Sequence, residues 1–303
     1  MKKRSIARFL NRRYKQLETR EQKTRAKLNR LYMAYNSTVE SIIHDLYMSC
    51  VIDGKPDYSR LFRRITKSKA AELQRKTAEL KQIIPEEAAV VFPFTVTRFD
   101  TLNRLDAAKV SFILNQSALA EAEYKLIDAH LSAFCKDTWT AIEEYLEVDW
   151  MYPEAGVVMF LTEDQEHPIR ETLYRNNLHI AEQVTERVRQ SITRGEPVQA
   201  CVKTVTEYVE RQERGTTERV LFTEGTRTAV DTVTEELEPY IEAFYTVCVK
   251  DEKTCEVCKG VEAEQQIHPV AIEYYKPGTT APPWHPYCRC GIEVIWNDRS
   301  YED

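Results

Sequence analysis

Glycine is scarce, with eight in 303 residues, and the twelve prolines are scattered along the chain. A β-sandwich or barrel turns many corners and draws on both residues at them. Their shortage points to long helices. No apolar run approaches the roughly 18 residues that a membrane-spanning helix needs. The opening Met1-Lys2-Lys3-Arg4 resembles the basic head of an export signal, but Arg8, Arg12, Arg13 and Lys15 break any apolar stretch behind it. The expectation is a chain kept in a reducing cytoplasm, with thiols free or metal-bound. The phosphate loops G-x-x-x-x-G-K-[ST] and G-x-G-x-x-G, the G-x-S-x-G elbow and the H-E-x-x-H zinc motif are all missing. Acidic residues such as Glu143, Glu144 and Glu147 lie in helical sequence and read as a solvated face, so no catalytic residue and no small-molecule substrate are expected. His130 and Cys135 have no companions at ligand spacing and read as core residues.

Cysteine is not scarce: there are eight, four of them gathered near the C-terminus with a histidine. Cys255-Glu-Val-Cys258 is a knuckle pair whose tight turn can aim both sulfurs at one point. His285-Pro-Tyr-Cys288-Arg-Cys290 adds three further donors on a short loop. Zn²⁺ takes four nitrogen or sulfur ligands in a tetrahedron, with Zn–S bonds of about 2.3 Å. A knuckle closing against a distant second cluster is a usual way to build that cage. Five candidates compete for four places, so the reading is Cys255, Cys258 and two or three of His285, Cys288 and Cys290. The role expected of the zinc is structural. A deaminase would carry H-x-E and P-C-x-x-C, whereas His285 precedes Pro286 and Tyr287. His268 is the rival imidazole and ranks below His285. Arg289, between two cysteines, suits a carboxylate partner or the charge of a thiolate cage.

These residues also carry a family resemblance. Asp251-x-Lys-Thr-Cys255-x-x-Cys258-x-Gly260, followed by Pro282-Pro-Trp-His-Pro-Tyr-Cys-Arg-Cys290, resembles the close of the Mu F-like phage head-morphogenesis family, the minor head proteins of tailed phages. Arg194-Gly195-Glu196 is similar to that family's turn between two helices, and Phe222-Thr223-Glu224 to its R-T-E element. The resemblance spans about residues 170–296. It implies a minor capsid protein inside the virion, associated with the portal protein and acting in head assembly and DNA packaging or delivery. Two alternatives stand beside it. A toxin or transferase fused to such a domain would need sequence beyond the thirteen residues after Cys290. A zinc-containing nucleic-acid-binding protein would want a basic zinc module, and residues 240–303 are acidic on balance.

Charge is divided unevenly. Residues 1–81 hold 21 basic and 8 acidic side chains, a net +13, while the remainder carries −19. The basic end reads as a surface for DNA or for an acidic portal face. Along the chain, residues 1–50 read as one helix, with Ile6, Phe9, Leu10, Arg13, Leu17, Leu28, Leu31, Tyr32, Tyr35, Val39, Ile42, Ile43 and Leu46 on its apolar stripe. A turn at Asp53-Gly54 and a second helix over 58–84 follow, and then a linker near 88–94. Helices are expected over 101–116, 118–146, 162–193 (capped by Thr162), 198–214 and 217–237. Strands are expected over 241–249, 261–267 and 291–296. The fold class expected is a mainly α-helical N-terminal region with a C-terminal α+β subdomain closed by the zinc site. The division drawn is 1–150, 151–296 and a tail at 297–303, with the boundary near Glu147–Glu154.

Overall fold

The structure, a computed structural model, describes residues 2–52, 55–86, 91–148 and 163–297. The Asp53-Gly54 turn, the Thr162 cap and most of the boundary stretch and the tail lie outside those residues. Four long helices dominate: α1 (Ile6–Cys50), α4 (Arg104–Leu146), α5 (Glu163–Thr193) and α6 (Val198–Leu237). Shorter ones are α2 (Lys67–Lys81), α3 (Phe92–Thr95) and α7 (Glu256–Ile267). Val51–Ile52 (β1) and Lys55–Pro56 (β2) pair antiparallel, and a three-stranded sheet holds β3 (Ile241–Val247), β4 (Val270–Ala271) and β5 (Gly291–Trp296). No helix among the described residues is long and apolar enough to cross a membrane.

Two compact units share these elements. The first comprises Met1–Arg25, Ile127–Glu166 and Thr217–Asp303; the second comprises Ala26–Leu126 and His167–Thr216. The first is built around its small sheet, in antiparallel order β4-β3-β5, with Phe244 opposite Val294 and Thr246 opposite Ile292. Ile6, Leu10, Tyr14 and Leu17 on α1 share one buried cluster with Phe134, Val233, Phe244 and Ile292. Two glycines allow the closest approaches. A Cβ on Gly291 would stand 3.0 Å from Leu10 Cδ1, and one on Gly225 would stand 2.7 Å from Leu17 Cδ2. The start of α1 is also tied to β5, since Ser5 Oγ and the Ile6 amide both donate to the Glu293 carboxylate (2.5 and 2.8 Å). The basic start of the chain is thus a packed helix, with Arg8, Arg12 and Lys15 on its exposed side. Arg13 turns inward instead, donating to Thr138 Oγ1 and lying over the Phe134 ring. His130 and Cys135 are side chains of this packed unit: His130 Nδ1 meets Thr24 Oγ1 at 3.0 Å, and the Cys135 thiol meets Thr232.

The second unit is helical, with Val39, Ile43, Tyr47, Phe112, Ile180, Val184, Val188 and Val205 in its core. Its α5 ends at Gly195, whose φ of +70° is easy only for glycine. The Glu196 amide bonds to the Ser191 carbonyl and the Gly195 amide to Ile192, a Schellman close that lets Pro197 redirect the chain.

Four expectations about elements need correction. The helix drawn over 58–84 is a 3₁₀ turn (Tyr58–Phe62) followed by α2, because Thr66 caps α2 through Lys69 and residues 63–65 run extended beside 102–104. Residues 101–116 and 118–146 fall largely in one helix, as do 198–214 and 217–237. No proline interrupts either span, and Gly215 costs only about 1 kcal/mol inside a helix whose neighbours Thr216 and Thr217 are buried. The strand drawn through 261–267 is the helix α7. Cys255 caps it, and the turn spacing puts Cys258 and Gln265 inward while Ile267 is exposed.

Candidate metal centre

The centre sits where the sheet of the first unit meets α7 and the loop before β5. β3 delivers Cys248 just past its end. Asp251 then folds the loop, accepting from the Lys253 amide at 2.9 Å. Cys255 follows at the cap of α7, and Cys258 lies in its first turn. The loop is locked from the other side by Arg289, whose guanidinium makes two bonds of 2.6 Å to the Asp251 carboxylate. That pairing holds the Asp251 carboxyl down to about 2. It links the two halves of the motif, and it is the carboxylate partner that the position of Arg289 suggests. Gln265 on α7 finishes the scaffold: its Oε1 accepts from the amide and hydroxyl of Thr246 (2.9 and 2.7 Å), and its Nε2 donates to Thr280 O.

All five candidate residues are brought together. His285 Nε2 lies 3.2 Å from Cys255 Sγ and 3.1 Å from Cys258 Sγ, and Cys258 Sγ lies 3.9 Å from Cys288 Sγ. Cys255, Cys258 and His285 form one compact group, and Cys258, Cys288 and Cys290 form another. Two ligands on tetrahedral zinc at bonds of about 2.3 Å stand roughly 3.8 Å apart. The Cys258–Cys288 spacing matches that, and the imidazole contacts are somewhat tighter. The histidine tautomer also fits. Nδ1 lies 2.7 Å from the Pro286 carbonyl and donates to it, which leaves the Nε2 lone pair facing the sulfurs. Charge is distributed accordingly. The hydrogen bond from Cys290 holds the Cys288 thiol down to about 5, and the Cys258 amide lowers Cys255. Cys290 is raised by the hydrogen bond it gives Cys288 and by burial, and Cys258 by burial and the charge on Cys288. The donors can therefore hold a metal.

One member of the cluster was missed. Cys248 is buried, with its Sγ 3.4 Å from Cys290 Sγ, a contact of thiols and not a bond. Its signal was available, because it stands at the end of a predicted strand seven residues before Cys255. The other imidazole, His268, is exposed at the end of α7 and belongs to neither group.

The loop also touches α6, where Thr223 Oγ1 accepts from the Tyr287 amide (3.2 Å) and the Phe222 ring lies 6.1 Å from that of Tyr287. Phe222-Thr223-Glu224, the turn at Gly195 and the C-terminal cysteines all lie in the stretch that a family model matches. Residues 182–293 match the family described as phage Mu protein F like protein. This stretch is a Mu F-like domain. Its sequence ends inside β5 and includes every residue of the thiol–imidazole cluster, so the family's pattern and the cluster's geometry coincide. The match likens residues 182–293, about a third of the chain, to phage Mu protein F. Comparison of the whole chain with curated proteins and with solved structures gives no match.

Proposed function

We propose that the protein is a minor capsid protein of a phage head that works beside the portal in head assembly and in DNA packaging or delivery. The observation that carries this reading is the Mu F-like match over residues 182–293. On this reading the protein belongs to the virion, on the interior side near the portal. Within that reading, Cys255, Cys258, His285 and Cys288 hold one structural Zn²⁺. The 3.9 Å spacing of Cys258 and Cys288 favours Cys288 for the fourth place, with Cys290 turned toward Cys248. Four protein ligands leave no open position for a water, so the role is to staple and not to catalyse.

The partner contact is assigned to exposed basic residues among the first 81: Lys15 and Lys23 of the first unit, and Lys27, Arg30, Arg63, Arg64 and Lys67 of the second. An acidic portal face and packaged DNA both suit it. Removal of the segment is not a usable test, because α1 is core to both units. The experiment is reversal of those seven charges to glutamate, followed by co-purification with co-expressed portal protein, with and without nuclease. Loss of portal binding that is insensitive to nuclease supports the portal as partner. Binding that disappears with nuclease in the parent protein assigns the surface to DNA. Undiminished incorporation of the reversed protein into heads rules the surface out.

A further inference from the structure

One thiol of the first unit stands outside both donor groups. Cys248 belongs to neither the Cys255–Cys258–His285 group nor the Cys258–Cys288–Cys290 group, yet its Sγ lies 3.4 Å from Cys290 Sγ. The sheet sets that approach. β3 and β5 pair antiparallel as far as Val247 opposite Gly291, so Cys248 and Cys290 occupy the next step of the same ladder. Side chains hold both backbones there: the Cys248 amide donates to Glu262 Oε1 at 3.0 Å, and the Cys290 carbonyl accepts from Tyr14 Oη at 3.0 Å. Directly opposed residues of an antiparallel pair have Cα atoms about 4.5–5.5 Å apart. A disulfide needs about 4.4–6.8 Å between Cα atoms and an S–S bond of about 2.05 Å. The two sulfurs can therefore close their gap by turning about their own side-chain bonds, with the strands in place.

With Cys255, Cys258, His285 and Cys288 around the zinc, Cys290 is a thiol without a metal that faces a second thiol. The pair is enclosed, Cys248 and Cys290 being 5 and 3 % exposed, which excludes bulky disulfide reagents and admits a small oxidant. A hydroperoxide is of that class. One thiolate attacks a peroxide oxygen and breaks the O–O bond, leaving a sulfenic acid and hydroxide. The second thiolate attacks the sulfenic sulfur, forms the S–S bond and expels a second hydroxide. The two thiol protons turn both hydroxides into water, so the two sulfurs lose two electrons and the peroxide gains them.

We propose that Cys248 and Cys290 are a peroxide-oxidised thiol pair whose disulfide ties the end of β3 to the start of β5 beside the zinc. The proposal rests on the reading above, in which Cys288 and not Cys290 takes the fourth zinc place. The bridge joins residues 42 positions apart, and all four zinc ligands lie between them. It restrains the same segment as the metal and holds it when the metal is lost.

The test uses the full zinc-loaded chain, treated with hydrogen peroxide, quenched with an alkylating reagent and read by peptide mass spectrometry and elemental analysis. The expected product has lost two hydrogens, carries a Cys248–Cys290 link and keeps one zinc per chain. After EDTA the oxidised chain should melt several degrees above the untreated one. Cys248→Ser should keep its zinc and show neither the link nor the Tm shift; should that variant fail to fold, the parent's own link and zinc count decide. Zinc in the untreated chain tests the metal reading and the position of the link tests the proposal, so each can fail alone. No link in the folded parent overturns the proposal, as does a link to Cys255, Cys258 or Cys288. Zinc released in step with a Cys248–Cys290 link also overturns it and makes Cys290 a ligand.

Discussion

The two units solve the problem of a polar interior in opposite ways. In the first, a three-stranded sheet with two short partners buries little apolar area of its own, and its far end is held by sulfur, imidazole and the Arg289–Asp251 pair. In the second, long helices bury abundant aliphatic surface and can carry Glu123, Glu213, Gln116 and Asn177 inside without a covalent or metal staple for the fold itself. Both units bury extended apolar clusters, so the contrast is local: the end of a small sheet is cross-linked, whereas packed helices hold polar groups that are costly to bury.

The largest effect that separates them is metal removal. Replacing both Cys255 and Cys258 with serine should abolish zinc binding and the protection of β3–β5 amides in hydrogen exchange, because metal affinity in small modules, on the order of 10 kcal/mol, is folding energy. Helices of the second unit should keep their protection. If they lose it in parallel, the two units unfold as one and the contrast fails.

Core truncations come next. Leu10→Ala in the first unit and Phe112→Ala in the second should each cost about 2–5 kcal/mol in denaturant unfolding. Each should lower exchange protection chiefly in its own unit.

A smaller, graded effect follows from Glu213. Its folded carboxyl is raised to about 9 from 4.5, so between those values the folded chain holds a proton that the unfolded chain has released. Stability from this group is therefore full below pH 4.5 and is lost as pH rises toward 9, with a slope of at most about 1.4 kcal/mol per pH unit. Unfolding of the parent and of Glu213→Gln across that range should show a steeper slope in the parent, the part shared by both coming from Glu21 and Glu236, which burial also raises, to about 7 and about 8.

The smallest effect is at the Schellman close. Gly195→Ala places a Cβ at φ +70° and should cost about 1 kcal/mol, lowering Tm by a few degrees.

Much of this was legible in the chain. The stripe from Ile6 to Leu46 marks one long helix because its members recur at helical spacing; most are buried, while Leu31, Tyr35 and Ile42 are half-buried at its margin. The cysteine spacing marks the cluster because a knuckle and a distant C-x-C can be aimed at one point. Other features were hidden for physical reasons. Gly215 and Ser117 look like breaks, but packing of the flanking turns outweighs a local propensity of about 1 kcal/mol. Val261–Ile267 looks like a strand because its helical face is set by Cys258 and Gln265, only one of which is apolar. Cys248 was passed over because it ends a strand and has no neighbour at knuckle spacing. The partition in space was the least legible, since α1, α4 and α6 each serve both units and periodicity alone does not say which residues share a core.

The bonds from Ser5 and Ile6 to Glu293 join residues 288 and 287 positions apart in the chain. During synthesis α1 emerges long before β5, with Ile6, Leu10, Tyr14 and Leu17 already on one face. Contacts of such range form slowly, since the loop they close must be ordered first. Until β5 is made α1 thus carries an apolar stripe only partly covered by α4 and α6, open to chaperones and to neighbouring chains, and Gly291 must arrive to let Leu10 settle.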